Sequence, residues 1–264
     1  MDVRFRVAAA VAALLVVPFA LRAQTRPVMA VFAHPDDERV VAPLLHRLAR
    51  SGREVHLVIA TDGAKGVRPH SGFSAGKELA DARANEARCA ADRIGVKSGA
   101  LHLLGLEDAG LASFIALGKL RASLVAIIDS IHPTVIITFG PEGGTGHPDH
   151  RLTGDVMTEI VQHGDARGAT LLFAQLPADR LRTAPQAAPT YNGVADSLIT
   201  VRVPVEDRDI AAGREEFACH RTQYTADEMA KINAYMAHAW DGAIWLRPWK
   251  GDRVDRRVIF PEIP

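Results

Sequence analysis

Short apolar runs alternate along the first two thirds of the chain with longer stretches whose apolar positions recur at helical spacing. Residues 28–33, 55–60, 100–104, 135–139 and 170–174 are the runs, each of a length and composition that suits a buried strand. Residues 40–50, 78–94, 117–131 and 151–162 carry the helical period. Gly95 stands where a left-handed residue ends the second of these helices, and His132-Pro133 stops the third. Strands alternating with helices predict a mostly parallel sheet wound in right-handed βαβ units. Beyond Gln175 the pattern loosens. A Pro- and Ala-rich stretch (177–189) precedes a strand at 198–203, a helix holding Glu215, Phe217 and His220, and a second helix over 226–239. The tail, 244–264, ends in the run Val258-Ile259-Phe260.

The N-terminus has a different pattern. A basic start (Met1 to Arg6) leads into an almost wholly apolar stretch, 7–21, followed by Ala23. At about 15 residues it is short for a membrane span of ~20, and the order of regions is that of a secretory signal. The expectation is a signal peptide over 1–23, one domain over 24–264, a secreted or periplasmic protein, and no membrane anchor after cleavage. Lys+Arg and Asp+Glu both number 31, so the chain lacks the basic excess of a nucleic-acid binder. Cys89 and Cys219 would meet an oxidising compartment. Sequence leaves open whether they bridge or remain two buried thiols.

The chemistry sits just past the first and fourth strands. The first is followed by Ala33-His34-Pro35-Asp36-Asp37-Glu38, the fourth by Gly143-Gly144-Thr145-Gly146-His147-Pro148-Asp149-His150. His34 with Asp37 and His147 with His150 are three apart, a spacing that aligns side chains where the chain turns helically. In a 3-2-1-4-5 sheet, strands 1 and 4 flank the reversal where ligands bind. His34, Asp37 and His150 would then supply two nitrogens and an oxygen to zinc, leaving one open position. Zinc brings the pKa of a bound water down to about 7. Asp36, one residue off that direction, is placed to act as general base. His147, as an imidazolium, would stabilise an oxyanion or protonate a leaving amine, and Asp149 would partner one histidine. The duller alternative makes Asp36 or Asp37 a helix cap with Glu38 in the first turn. Two histidines and a carboxylate also form the triad of Fe(II) oxygenases, so Fe2+ is the alternative metal. A non-catalytic carbohydrate-binding protein is the other reading. The first βα turn lacks Gly-x-Gly-x-x-Gly and gives no support for a dinucleotide.

With Thr61-Asp62-Gly63, Arg83-Ala84-Asn85-Glu86, Leu104-Gly105-Leu106-Glu107-Asp108 and His220-Arg221-Thr222-Gln223 added to the two histidine motifs, the chain resembles the PIG-L/LmbE family of zinc-dependent de-N-acetylases. The match is densest from Pro27 to Asp155. The resemblance implies a Rossmann-like three-layer α/β/α fold without a dinucleotide and zinc on His34, Asp37 and His150. It also implies Asp36 as base, His147 as acid or oxyanion stabiliser modulated by Asp149, and substrate contacts from Asp108 and the loop residue Arg68. The implied substrate is a glycan or glycoconjugate carrying N-acetylglucosamine. Arg83 and Glu86 read most simply as a pair on one helix face, and His220 as a packing residue. One position departs from the family: some members carry a tyrosine where Thr145 stands here.

Overall fold

Every residue of β1 (Val28–Phe32), β2 (Val55–Thr61) and β4 (Val135–Phe139) is buried. Strands covered on both faces have no solvent side, which is why they read as unbroken apolar runs. The computed structural model describes residues 26–185 and 191–263. The expected signal segment, 1–23, lies outside them, as do residues 186–189 of the Pro- and Ala-rich stretch.

Pairing is parallel from β3 (Leu101–Leu106) through β2, β1 and β4 to β5 (Thr170–Gln175). Successive side chains of β1 feed opposite cores. Val28, Ala30 and Phe32 pack with Leu44, Leu45 and Leu48 of α1 (Ala42–Arg50) and with Ala91 of α2 (Lys77–Arg93). Met29 and Val31 face Leu120, Leu124 and Ile128 of α3 (Phe114–Ile131) and Met157 and Ile160 of α4 (Pro148–His163). The result is the expected three-layer α/β/α arrangement.

The full sheet is seven-stranded, β3-β2-β1-β4-β5-β7-β6. It contains the anticipated 3-2-1-4-5 core and extends it by two strands. After a short helix α5 (Ala178–Thr183), β6 (Val201–Pro204) forms the far edge. Two helices follow, α6 (Asp207–Phe217) and α7 (Ala226–Trp240), and then β7 (Ala243–Pro248) inserts antiparallel between β5 and β6. Sequence reading missed β7, because Trp245 and Arg247 break its apolar run. In the fold Arg247 covers the Phe173 ring, and Arg180 and Arg202 cover Trp245. β6 starts later than expected, since Asp196–Leu198 forms a 3-10 turn. The Val258-Ile259-Phe260 run closes a short helix, α8 (Arg256–Ile259), which presses Ile259 and Phe260 into the core.

Cys89 of α2 and Cys219, just beyond α6, form a disulfide with Cα atoms 5.9 Å apart. The two-buried-thiols alternative therefore fails. Cys89 faces solvent where α2 and α6 pack side by side. Among the described residues no helix is long and apolar enough to cross a membrane.

Candidate active site

The turn after β1 is built around an unusual backbone conformation. Asp36 has φ 110°, and no side chain caps the 3-10 turn Asp37–Val40 that it precedes. The helix-cap reading of this motif is thereby set aside. The turn is fixed from inside instead. Glu38 is fully buried and accepts the Asp36 N–H at 3.0 Å, while the Arg39 guanidinium donates to the Asp36 carbonyl. A positive φ in a non-glycine residue costs of order 1–3 kcal/mol and persists only where neighbours enforce it. Here they do, and the strain turns Asp36 away from Asp37.

The second motif opens α4. His147 is its N-cap, accepting the Asp149 N–H on Nδ1 at 3.1 Å, and Pro148 occupies the first turn, where its missing N–H costs nothing. The first turn of α4 lies against the end of β4. A Cβ on Gly154 would stand 2.3 Å from the Phe139 carbonyl oxygen, so only glycine permits this approach. His150 stacks on the Phe139 ring (centroids 4.4 Å apart, planes 10° from parallel) and bonds the Gly143 carbonyl through Nδ1 at 2.8 Å. With Nδ1–H donating, Nε2 of His150 presents a lone pair.

That lone pair meets the first motif. His150 Nε2 lies 3.1 Å from His34 Nδ1 and 3.1 Å from Asp37 Oδ1, and His34 Nδ1 lies 3.4 Å from Asp37 Oδ2. Donors at zinc-ligand distance in a tetrahedron stand about 3.3 Å apart, so this spacing fits a small divalent cation. His34 Nε2 faces Asp108 Oδ1 at 3.2 Å and Asp149 Oδ2 at 3.5 Å, which favours its proton there and leaves Nδ1 for a cation. Burial pulls the His34 imidazole down, but Asp108, Asp149 and Asp37 outweigh it and hold its pKa well above the ordinary value. Burial likewise pushes Asp37 up, and His150 and His34 outweigh it, holding the carboxyl well below its usual range. The centre of the cluster favours positive charge.

The remaining expected residues divide. Asp108 follows β3, accepts the Lys65 N–H at 2.8 Å, and titrates near about 2: burial raises it, and His34 with Lys65 more than offset that. The Asp149 carboxylate accepts the Ala109 N–H at 2.8 Å, so it ties the Asp108 loop to α4 while facing His34. His147 stands edge-on to His34 with ring centroids 4.7 Å apart. Burial first, then His34 and His150, lower its pKa. A ring that accepts an N–H on Nδ1 is neutral, with its proton on Nε2. The expected imidazolium is replaced by a neutral donor. Arg68 does not join the cleft; it pairs with Glu228 at the start of α7.

Several contributors were not anticipated. Arg83 does not pair with Glu86: it reaches across to the carbonyls of Pro35 (2.6 Å) and Gly63 (3.1 Å) and stands 3.6 Å from Asp36. Glu86 instead accepts the N–H and hydroxyl of Thr222, each at 2.7 Å. His220 is no simple packing residue, for its Nε2 sits between Glu216 (3.2 Å) and Glu38 (3.3 Å) with all three fully buried. Tyr224 donates to Asp36 Oδ2 at 3.0 Å. Thr145, in place of a tyrosine, reaches only His150 Nδ1, at 3.3 Å. The cleft lined by His34, Asp36, Asp37, His147, His150 and Tyr224 is about 300 Å³, at the small end for ligand pockets, with room for a small amide-bearing group.

The family model described as GlcNAc-PI de-N-acetylase (PIG-L) matches residues 29–161, half of the chain. The chain belongs to the PIG-L family. That membership makes it a hydrolase of non-peptide carbon–nitrogen bonds, a deacetylase, and sets aside the oxygenase and binding-only readings. The PIG-L match runs from β1 into α4 and so spans both histidine motifs. Among relatives, the 1D-myo-inositol 2-acetamido-2-deoxy-alpha-D-glucopyranoside deacetylase of Mycolicibacterium smegmatis is 30% identical, with 79% of this chain and 78% of the relative covered. The protein of the same description from Corynebacterium urealyticum is 29% identical, covering 89% of this chain and 76% of its own. The N,N'-diacetylchitobiose deacetylase of Pyrococcus horikoshii shares the fold, with a TM-score of 0.66, 21% identity and 88% of each chain covered.

Proposed function

We propose that the protein is an exported, zinc-dependent de-N-acetylase acting on a glycan or glycoconjugate that carries N-acetylglucosamine. The observation that carries the metal reading is three donors, His34 Nδ1, His150 Nε2 and Asp37, converging within 3.1–3.4 Å of one another. Without a cation, the contact between the two imidazoles needs a proton on His34 Nδ1, which the surrounding carboxylates favour, and a bound cation would take that proton's place. The substrate class follows the relatives named as deacetylases of an acetamido-glucopyranoside and of diacetylchitobiose, and the small polar cleft suits one amino-sugar unit. Export rests on residues 1–23 and on a disulfide, a cross-link that is rare outside oxidising compartments.

Held by His34, Asp37 and His150, zinc would acidify a water and polarise the amide carbonyl. Asp36 takes the proton of the attacking water as the new C–O bond forms at the acetyl carbon. The carbonyl electron pair moves onto oxygen, where the Nε2–H of His147 donates to it. As the carbonyl re-forms, the C–N bond breaks and Asp36 passes its proton to the departing amine. Acetate and free amino sugar are the products. Asp36→Ala should keep full metal content and lose about 10²–10⁴ in kcat. Acetate release from diacetylchitobiose and from N-acetylglucosaminyl-inositol reads the rate; undiminished release would remove Asp36 from this role.

A further inference from the structure

A proton-accepting carboxylate needs one oxygen free and one held, and the fold supplies the holding group from an unexpected segment. Residues 218–225 join α6 to α7 and are tied down at four points. Cys219 is bonded to α2, His220 lies between Glu38 and Glu216, Thr222 is bonded twice to Glu86, and Gln223 Nε2 donates to the Gly66 carbonyl at 2.8 Å. The next residue, Tyr224, has its ring against Phe217 (centroids 4.8 Å apart) and under the Arg39 guanidinium. Its hydroxyl makes the one hydrogen bond that reaches the Asp36 carboxylate among the described residues. The two arginines nearest that carboxylate, Arg39 and Arg83, stop at 3.6 Å from Oδ1 and Oδ2.

We propose that Tyr224 is a positioning residue for the base, occupying Oδ2 of Asp36 so that Oδ1 is left to the reacting water. The inference rests on the hydrolytic reading of the site. A rotation of the unheld carboxylate toward either arginine would close the gap to a direct ion pair and spend both oxygens. Tyr224 remains a neutral donor throughout, because burial pushes its phenol well above its ordinary value. Thr145 serves His150, so Tyr224 is the phenol that lines the cleft among the described residues.

The contact and the role are tested separately. The chain has 3 tyrosines, so tyrosine labelled at the Cζ carbon alone gives three resonances, and Tyr224→Phe identifies one. In the metal-loaded protein that resonance should shift on Asp36→Asn by more than either of the other two; an unmoved resonance would overturn the proposal whatever the substrate proves to be. In turnover of diacetylchitobiose, Tyr224→Phe should lower kcat about ten- to a hundredfold, the range for a hydrogen bond to a charged group. KM should stay within about twofold, with metal content unchanged. In an Asp36→Ala background the same change should cost less than about twofold in single turnover. A multiplicative loss there would mean that the phenol acts on the reacting atoms directly, and a rise in KM at constant kcat would mean that it only binds substrate. Either result sinks the proposal.

Discussion

Asp108 and Arg68 were paired in expectation as substrate contacts, and their surroundings separate them. Asp108 faces Nε2 of the His34 imidazole from 3.2 Å, whereas Arg68 is engaged by Glu228 outside the cleft. A carboxylate behind a ligand histidine fixes its tautomer, and losing it typically weakens metal binding 10–100-fold. Asp108→Ala should therefore lose metal to a competing chelator at about that ratio; unaltered affinity would return Asp108 to a purely substrate-facing role. Arg68→Ala should leave kcat/KM within about twofold. A tenfold rise in KM would show that the loop swings Arg68 onto substrate during turnover. Both residues carry charge and both sit in loops, so residue type alone could not tell them apart. Their distant partners, His34 for Asp108 and Glu228 for Arg68, do.

Among the elements, α2 and the α6–α7 connection form the wall opposite the two histidine turns. α2 contributes Arg83 beneath Asp36 and Glu86 to Thr222, and the disulfide locks the same two segments together. The bridge spans 130 residues of sequence, so its removal releases a long loop in the unfolded chain. Cys89→Ser with Cys219→Ser should lower unfolding free energy by about 2–4 kcal/mol, read from urea midpoints of wild type and variant. Equal midpoints would mean that Thr222 and Gln223 hold the wall unaided. α4 shows the same dependence on distant structure. Its cap, proline and periodicity are all local and were legible. Its tight seat on β4 depends on Gly154 meeting the Phe139 carbonyl, a contact that no local pattern announces.

At the scale of the whole molecule, the buried set Glu38, Glu216 and His220 joins the active-site turn to α6. Burial lowers His220, but the two glutamates outweigh it and raise its pKa to about 10; burial pushes Glu216 up to about 7. Both groups bind protons more tightly folded than unfolded. Their contribution to stability is present at low pH, falls as Glu216 ionises between its unfolded value and about 7, and falls further as His220 loses its proton toward about 10. The urea midpoint of the metal-loaded protein should accordingly drop from about pH 6 to about pH 9. His220→Gln, which leaves two buried carboxylates without their cation, should destabilise by about 3–5 kcal/mol. A midpoint that rises over the same interval would contradict the assignment. Arg39 bears on this set too, since it lowers Glu216 while standing beside Asp36.

The five parallel strands, the helices between them, and the two motifs that carry His34, Asp37, His147 and His150 were fixed by local pattern. Periodicity, capping and strand-end position are properties of neighbours in sequence, and they suffice for a parallel sheet with chemistry at its reversal. What tertiary structure decided is every relation between residues far apart in the chain. The place of β7 depends on arginines covering its aromatic, and the neutral state of His147 depends first on its burial beside His34 and His150. Arg83, His220 and Tyr224 converge on the turn after β1 from segments up to 188 residues away. A hydrogen bond across such a separation leaves no period or spacing to read, because it exists only once the sheet and its covering helices have set both partners in place.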